Sequence, residues 1–190
     1  VSDFSMISGG YGNAVSTSAG YGAITGGHSN TVSSYGSYNT IGGGSHNYIY
    51  GGLSNNVGDG NAIAGGYDNR MTSTSDHAFI GGGKSNRISG GSASMIGGGE
   101  GNLADGFVST IGGGYHNTAN NDASTALGGY QSSASGAVAT TLGGSGNVAS
   151  GVYAVTVGGA LNTASGAYSF AAGREANANQ PGCFVWTDAL

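Results

Sequence analysis

The residues able to do chemistry are few and scattered. The four histidines, His28, His46, His77 and His116, fall at no i, i+2 or i+4 spacing that would let them share a metal. Glycoside cleavage needs two carboxylates flanking one sugar. Asp68, Glu100, Asp105 and Asp122 sit at unrelated points of the chain's repeat and define no common groove. Serines are plentiful, but none lies in a nucleophile elbow. Gly-x-Gly-x-x-Gly spacings arise by chance among 42 glycines. No amphipathic helix or downstream acid follows them, as a dinucleotide fingerprint requires. The expectation is a protein without catalytic residues, metal or cofactor.

Tyrosine offers an apolar ring and a hydroxyl in one side chain. Tyr11, Tyr67, Tyr115 and Tyr130 each follow a glycine pair directly, and Tyr35, Tyr38, Tyr48 and Tyr50 crowd the early part of the chain. The four equivalent tyrosines are the candidate ligand-binding residues, placed to project from one edge. Shielding of backbone corners, or filling of a seam between chains, is the competing role.

The elements that must carry these side chains are set by a repeat. The second glycine of each pair falls at Gly10, Gly27, Gly44, Gly52, Gly66, Gly83, Gly99, Gly114, Gly129, Gly144, Gly159 and Gly173. Most steps are 14 to 17 residues; the 8-residue step from Gly44 to Gly52 reads as an extra turn. Three residues after the glycine comes asparagine in ten of twelve units: Asn13, Asn30, Asn47, Asn55, Asn69, Asn86, Asn102, Asn117, Asn147 and Asn162. Asparagine at equivalent corners predicts a hydrogen-bonded ladder along a stack. Two residues further on an apolar column begins at Val15 and Val32 and ends in alanines. A second apolar column, including Ile24, Ile41, Ile80, Ile96 and Ile111, precedes the glycine by three. From Ala126 onward the bulky residue moves one place nearer the glycine, at Leu127, Leu142 and Val157. A one-place slip reverses side-chain direction in a strand, so two registers are open for the last four coils. With a second mark such as Asp105-Gly106 or Ser150-Gly151, the unit reads strand, turn, strand, turn.

The predicted fold is therefore all-β, a parallel β-roll of about twelve short coils over residues 1–179. An exit segment over 180–190 would lead to a further region. Val1 in place of an initiating Met reads as the start of a piece of a longer chain. Ile, Leu, Val and Phe make up only 31 of 190 residues, and charged residues 7%. Such a chain lacks both a large core and the charge of a disordered segment. Each thin coil buries too little to offset the ordering of its backbone, which argues for association of identical chains. A net charge of −5 with four Lys and Arg excludes a basic stripe for nucleic acid. No run reaches transmembrane length, and the single Cys183 cannot form a disulfide within the chain.

The stretches Gly143–Gly151 (GGSGNVASG) and Val157–Gly166 (VGGALNTASG) resemble the head repeat of trimeric autotransporter adhesins, the YadA-like head. Similar repeats occur in trimeric phage-type tail fibres. Residues 164–179, followed by Phe184–Asp188, resemble the last coils of a fibre before its architecture changes. The resemblance implies a left-handed roll, a homotrimer, an extracellular, cell-surface or virion-fibre location, and adhesion to a host or neighbouring-cell glycan or protein. It departs from the family in its longer early units and in having no stalk, neck or anchor. A structural spacer of a tail fibre or filament is the alternative. An ice-binding solenoid is a weaker one, since its threonine column is interrupted by Met6, Ala23, Phe79, Met95 and Val155.

Overall fold

The structure, a computed structural model, describes residues 4–16, 19–33, 36–51, 59–72 and 75–188. The described residues form no helix; 23 short strands stack into two parallel sheets. The first sheet has twelve strands, running from Met6–Ile7 to Phe184–Thr187, and the second has eleven, from Ala14–Val15 to Asn177–Ala178. Each strand pairs with the strand two along in the chain, so one coil lays one strand in each sheet. The chain is a parallel β-solenoid of about eleven turns.

The count falls one short of the expected twelve because the 8-residue step is not a coil. Asn47 pairs through its side chain with Asn69, 22 residues on, and Ser45 bridges directly to Tyr67. The third and fourth corners are thus joined by one enlarged coil. Gly52, Asn55 and Val57 lie outside the described residues, as does Tyr35.

Strands this short hold because alternate side chains point inward and stack on their copies. In the first sheet Ile24, Ile41, Ile63, Ile80, Ile96 and Ile111 are fully buried; in the second Val32, Ile49, Met71 and Ile88 face them, followed by alanines. Only glycine fits the first corner. Gly83 has φ +85°, and a Cβ there would lie 2.1 Å from the carbonyl oxygen of Gly99 in the next coil.

The inward column keeps its register to the end of the stack, the one shift falling beyond it, between Val157 and Ala160. Ala126 pairs with Thr141, Thr141 with Thr156 and Thr156 with Ala171, in line with Ile111. Of the two registers open from sequence, the structure takes the one that keeps the inward column unbroken. Leu127 and Leu142 therefore face outward, half exposed, while Thr141 and Thr156 occupy the core. The hydroxyls of Thr141, Thr156 and Ser169 are buried without a hydrogen-bond partner, a cost of about 1–3 kcal/mol each. The segment expected to exit after residue 179 contains the last strand of the first sheet, with Phe170 opposite Phe184 and Ala172 opposite Trp186.

Candidate ligand-binding surface

The first corner is built around asparagine. Asn86 accepts the backbone N–H of Asn102 at 3.1 Å, and its Nδ2 donates to Gly82 O and Gly99 O, both at 2.9 Å. Asn13, Asn30, Asn47, Asn69, Asn102, Asn117, Asn147 and Asn162 each accept from the same position one coil on. Ser132 takes one rung through its hydroxyl, at 3.4 Å. These contacts pair the Asn102 N–H and Gly82 O and add a second donor to Gly99 O, which also accepts the Lys84 N–H. The asparagines are thus committed inward and have no free polar groups for a ligand.

The surface lies one and two residues to the outside of that ladder. Tyr11, Tyr67, Tyr115 and Tyr130 occupy a single column, linked by parallel bridges that run Tyr11, His28, Ser45, Tyr67, Lys84, Glu100, Tyr115, Tyr130. All four tyrosines are exposed. Of the four, the fold brings only Tyr115 and Tyr130 into direct contact, stacked at 5.2 Å. Tyr11 stacks on His28 at 5.5 Å. Lys84 and Glu100 intervene as an ion pair of 2.9 Å. The hydrogen bond and negative charge of Glu100 raise the Lys84 ammonium above its ordinary range.

Beside this column runs another whose residues all have positive φ, among them Ser29, His46, Asp68, Ser85 and His116. His28 and His46 come together across neighbouring coils, with ring centroids 5.3 Å apart. Ser45 Oγ lies 2.7 Å from His46 Nδ1 and 3.4 Å from His28 Nδ1. Among the described residues no three His, Cys, Asp or Glu side chains converge on a metal position. The carboxylates singled out from sequence are each engaged separately: Asp68 with Arg70, Glu100 with Lys84, Asp105 with Ser89 and Asp122 with the Phe107 N–H.

Two features escaped sequence reasoning. At the second corner Phe4, Tyr21 and Tyr38 form a continuous stack at 5.4 and 4.9 Å, and Tyr153 stacks on Tyr168 at 5.1 Å. Tyr38, Tyr153 and Tyr168 carry a signal, standing two places after Gly36, Gly151 and Gly166; Phe4 and Tyr21, two places after Ser2 and Ala19, do not. The other is an open groove of about 340 Å³ lined by Ser29, His46, Tyr48, Asp68 and Arg70. It forms where the enlarged coil sets Tyr48 beside Arg70 in the second sheet. That pairing becomes visible only once Gly44 is known to stack on Gly66.

No protein-family model matches the chain, and no curated protein is significantly similar to it. No helix among the described residues is long and apolar enough to cross a membrane.

Proposed function

We propose that the chain is a segment of a homotrimeric, non-enzymatic surface fibre, its coils a left-handed roll, that adheres to a glycan or protein on a host or neighbouring cell. The observation that carries this reading is the placement of bulk in the last coils. From Ile24 to Ile111 the isoleucines of the first sheet point inward. From there on Leu127 and Leu142 point outward, on the face where Phe79 and Met95 already lie half exposed, and Phe184 and Trp186, 69% and 68% exposed, extend it, while Val185 between them packs inward. A lone chain leaves that face to water while burying unpaired hydroxyls behind it. Packing identical faces about a threefold axis removes apolar area at about 25 cal/mol per Å² and fits the closed symmetry usual for such assemblies.

Adhesion fits the first corner, at the edge between the two sheets. There a rigid stack presents aromatic and polar side chains in repeated rows, and three copies would multiply weak contacts. Extracellular or virion-surface display follows from that reading. A passive spacer is the second reading, favoured by the Tyr115–Tyr130 stack, in which each ring already covers the other. Sedimentation equilibrium of the 18.3 kDa chain tests the assembly. A mass of three chains supports the fibre, and a folded monomer overturns it. Attachment of the trimer to target cells, or its absence, then decides between adhesin and spacer.

A further inference from the structure

From the groove at the enlarged coil we infer a binding site for a neutral pyranose, a deeper reading of the adhesive function that rests on it. The groove spans three successive coils, through Ser29, His46 and Asp68 at the first corner, with Tyr48 and Arg70 on the adjoining sheet face. Three coils cover about 10 Å, and about 340 Å³ is at the small end of the range for small-ligand sites. That is room for one or two sugar rings.

The polar groups select the ligand class. Arg70 places Nε 2.9 Å and Nη2 2.8 Å from a single oxygen of Asp68, Oδ1. Asp68 Oδ2, an acceptor, and Arg70 Nη1, a donor, take no part in those two contacts. Such a pair matches adjacent sugar hydroxyls, one donating to the carboxylate and the next accepting from the guanidinium. Tyr48 is half-buried beside them, with one ring face stacked on Tyr50 at 6.1 Å and the other offered to the apolar face of a pyranose. His46 has Nδ1 engaged by Ser45, which leaves Nε2 for a further hydroxyl. Because Asp68 already neutralises Arg70, and the chain carries a net charge of −5, the groove favours a neutral sugar over a sulfate, phosphate or sialic acid. It lies on the second sheet and first corner, away from the outward face of the first sheet, so trimer formation would leave it open.

The test is saturation-transfer NMR on the intact chain with the methyl pyranosides of glucose, galactose, mannose and N-acetylglucosamine. Sodium sulfate and N-acetylneuraminic acid serve as anionic competitors. The expected result is transfer from at least one neutral glycoside. Asp68→Asn and Tyr48→Ala should each weaken binding at least tenfold, and Arg87→Ala, one coil further on the same face, should leave it unchanged. Asparagine tolerates the positive φ of position 68, so Asp68→Asn separates lost binding from lost folding. No transfer from any of the four glycosides overturns the inference. So does transfer unaltered by Asp68→Asn, or displacement of the sugar by either anion. A trimer by mass that binds no glycoside removes the groove and leaves the fibre; a monomer that binds one does the reverse.

Discussion

Asn86→Asp changes one atom in the ladder and reverses its chemistry. Oδ1 stays in place to accept the Asn102 N–H. The atom that now donates to Gly82 O and Gly99 O, each at 2.9 Å, and to Asn69 Oδ1 at 3.2 Å, becomes an oxygen facing two carbonyl oxygens and an amide oxygen. Gly82 O loses its side-chain donor, at about 1–3 kcal/mol, while Gly99 O keeps the Lys84 N–H but now faces a carboxylate oxygen, so the substitution should destabilise the surrounding coils by about 2–3 kcal/mol at pH 7. Asn13→Asp makes the same exchange against Gly9 O and Gly27 O at the exposed end of the ladder. Water can rescue the carbonyls there, and the cost should stay below about 1 kcal/mol.

The loss at position 86 should also depend on pH with a definite sign. Burial and the two carbonyls disfavour the ionised form, so the introduced carboxyl has its folded pKa raised above the unfolded value of about 3.9. The folded state then binds more protons than the unfolded one, and stability falls as pH rises from about 3.9 through the folded pKa. Lowering the pH should recover about 1.4 kcal/mol for each unit by which that pKa is raised. Amide hydrogen exchange at Asn102 and its neighbours, at fixed protein concentration, reads the opening of individual coils without assuming that the whole stack unfolds at once. Protection at pH 7 within 1 kcal/mol of the parent chain would refute the ladder's energetic role. So would equal losses at positions 13 and 86.

Other substitutions probe the corner, the core and the outer face. Gly83→Ala forces a Cβ to 2.1 Å from the Gly99 carbonyl at φ +85° and should cost about 3–5 kcal/mol, read as a lowered midpoint in guanidinium unfolding; an unchanged midpoint would contradict the corner geometry. Ile80→Asp and Ile111→Asp place a charge in fully buried positions and should abolish assembly and the β circular dichroism signal together, so retention of the native oligomer by both would count against the inward column. Leu142→Asp should behave differently, keeping the β signal while lowering the sedimentation mass toward one chain, because its side chain faces outward. An unchanged mass would remove that face from the interface.

Much of this architecture is readable in the glycine and asparagine columns, because a corner with one steric solution must be repeated in sequence wherever it is repeated in space. Gly83 and Asn86 are legible for that reason: each makes its contacts to the equivalent residue one coil away. Two things are not legible. The enlarged coil hides behind Gly52, which copies the spacing of a corner glycine although the backbone bridges run from Ser45 straight to Tyr67. Hence the groove at Asp68 and Arg70 has no local signature. Its residues lie as far apart as Ser29 and Arg70 and become neighbours only through the register of the stack. The aromatic stacks at the second corner are hidden differently, since the residue there varies among Tyr, Val, Ala and His while the positive φ stays constant.

The shift of bulk at Leu127 is the ambiguity that the backbone resolves, and its resolution bears on assembly. A slip of one residue would have kept leucine inside and the hydroxyls outside, at the cost of breaking the pairing of every later strand with its predecessor. The observed pairing holds through Thr141, Thr156 and Ala171, and the hydrogen bonds of the Asn147 and Asn162 corners depend on it. Retaining the ladder therefore outweighs the burial of a few leucines and valines, each of which contributes about 1.5–3 kcal/mol when fully covered. The apolar side chains left outside keep that free energy in reserve for a surface that covers them. A stack whose interior turns to alanine and threonine where its exterior gains leucine, phenylalanine and tryptophan has moved part of its core to the outside, and on the proposed trimer reading that is the surface a second copy of the chain would cover.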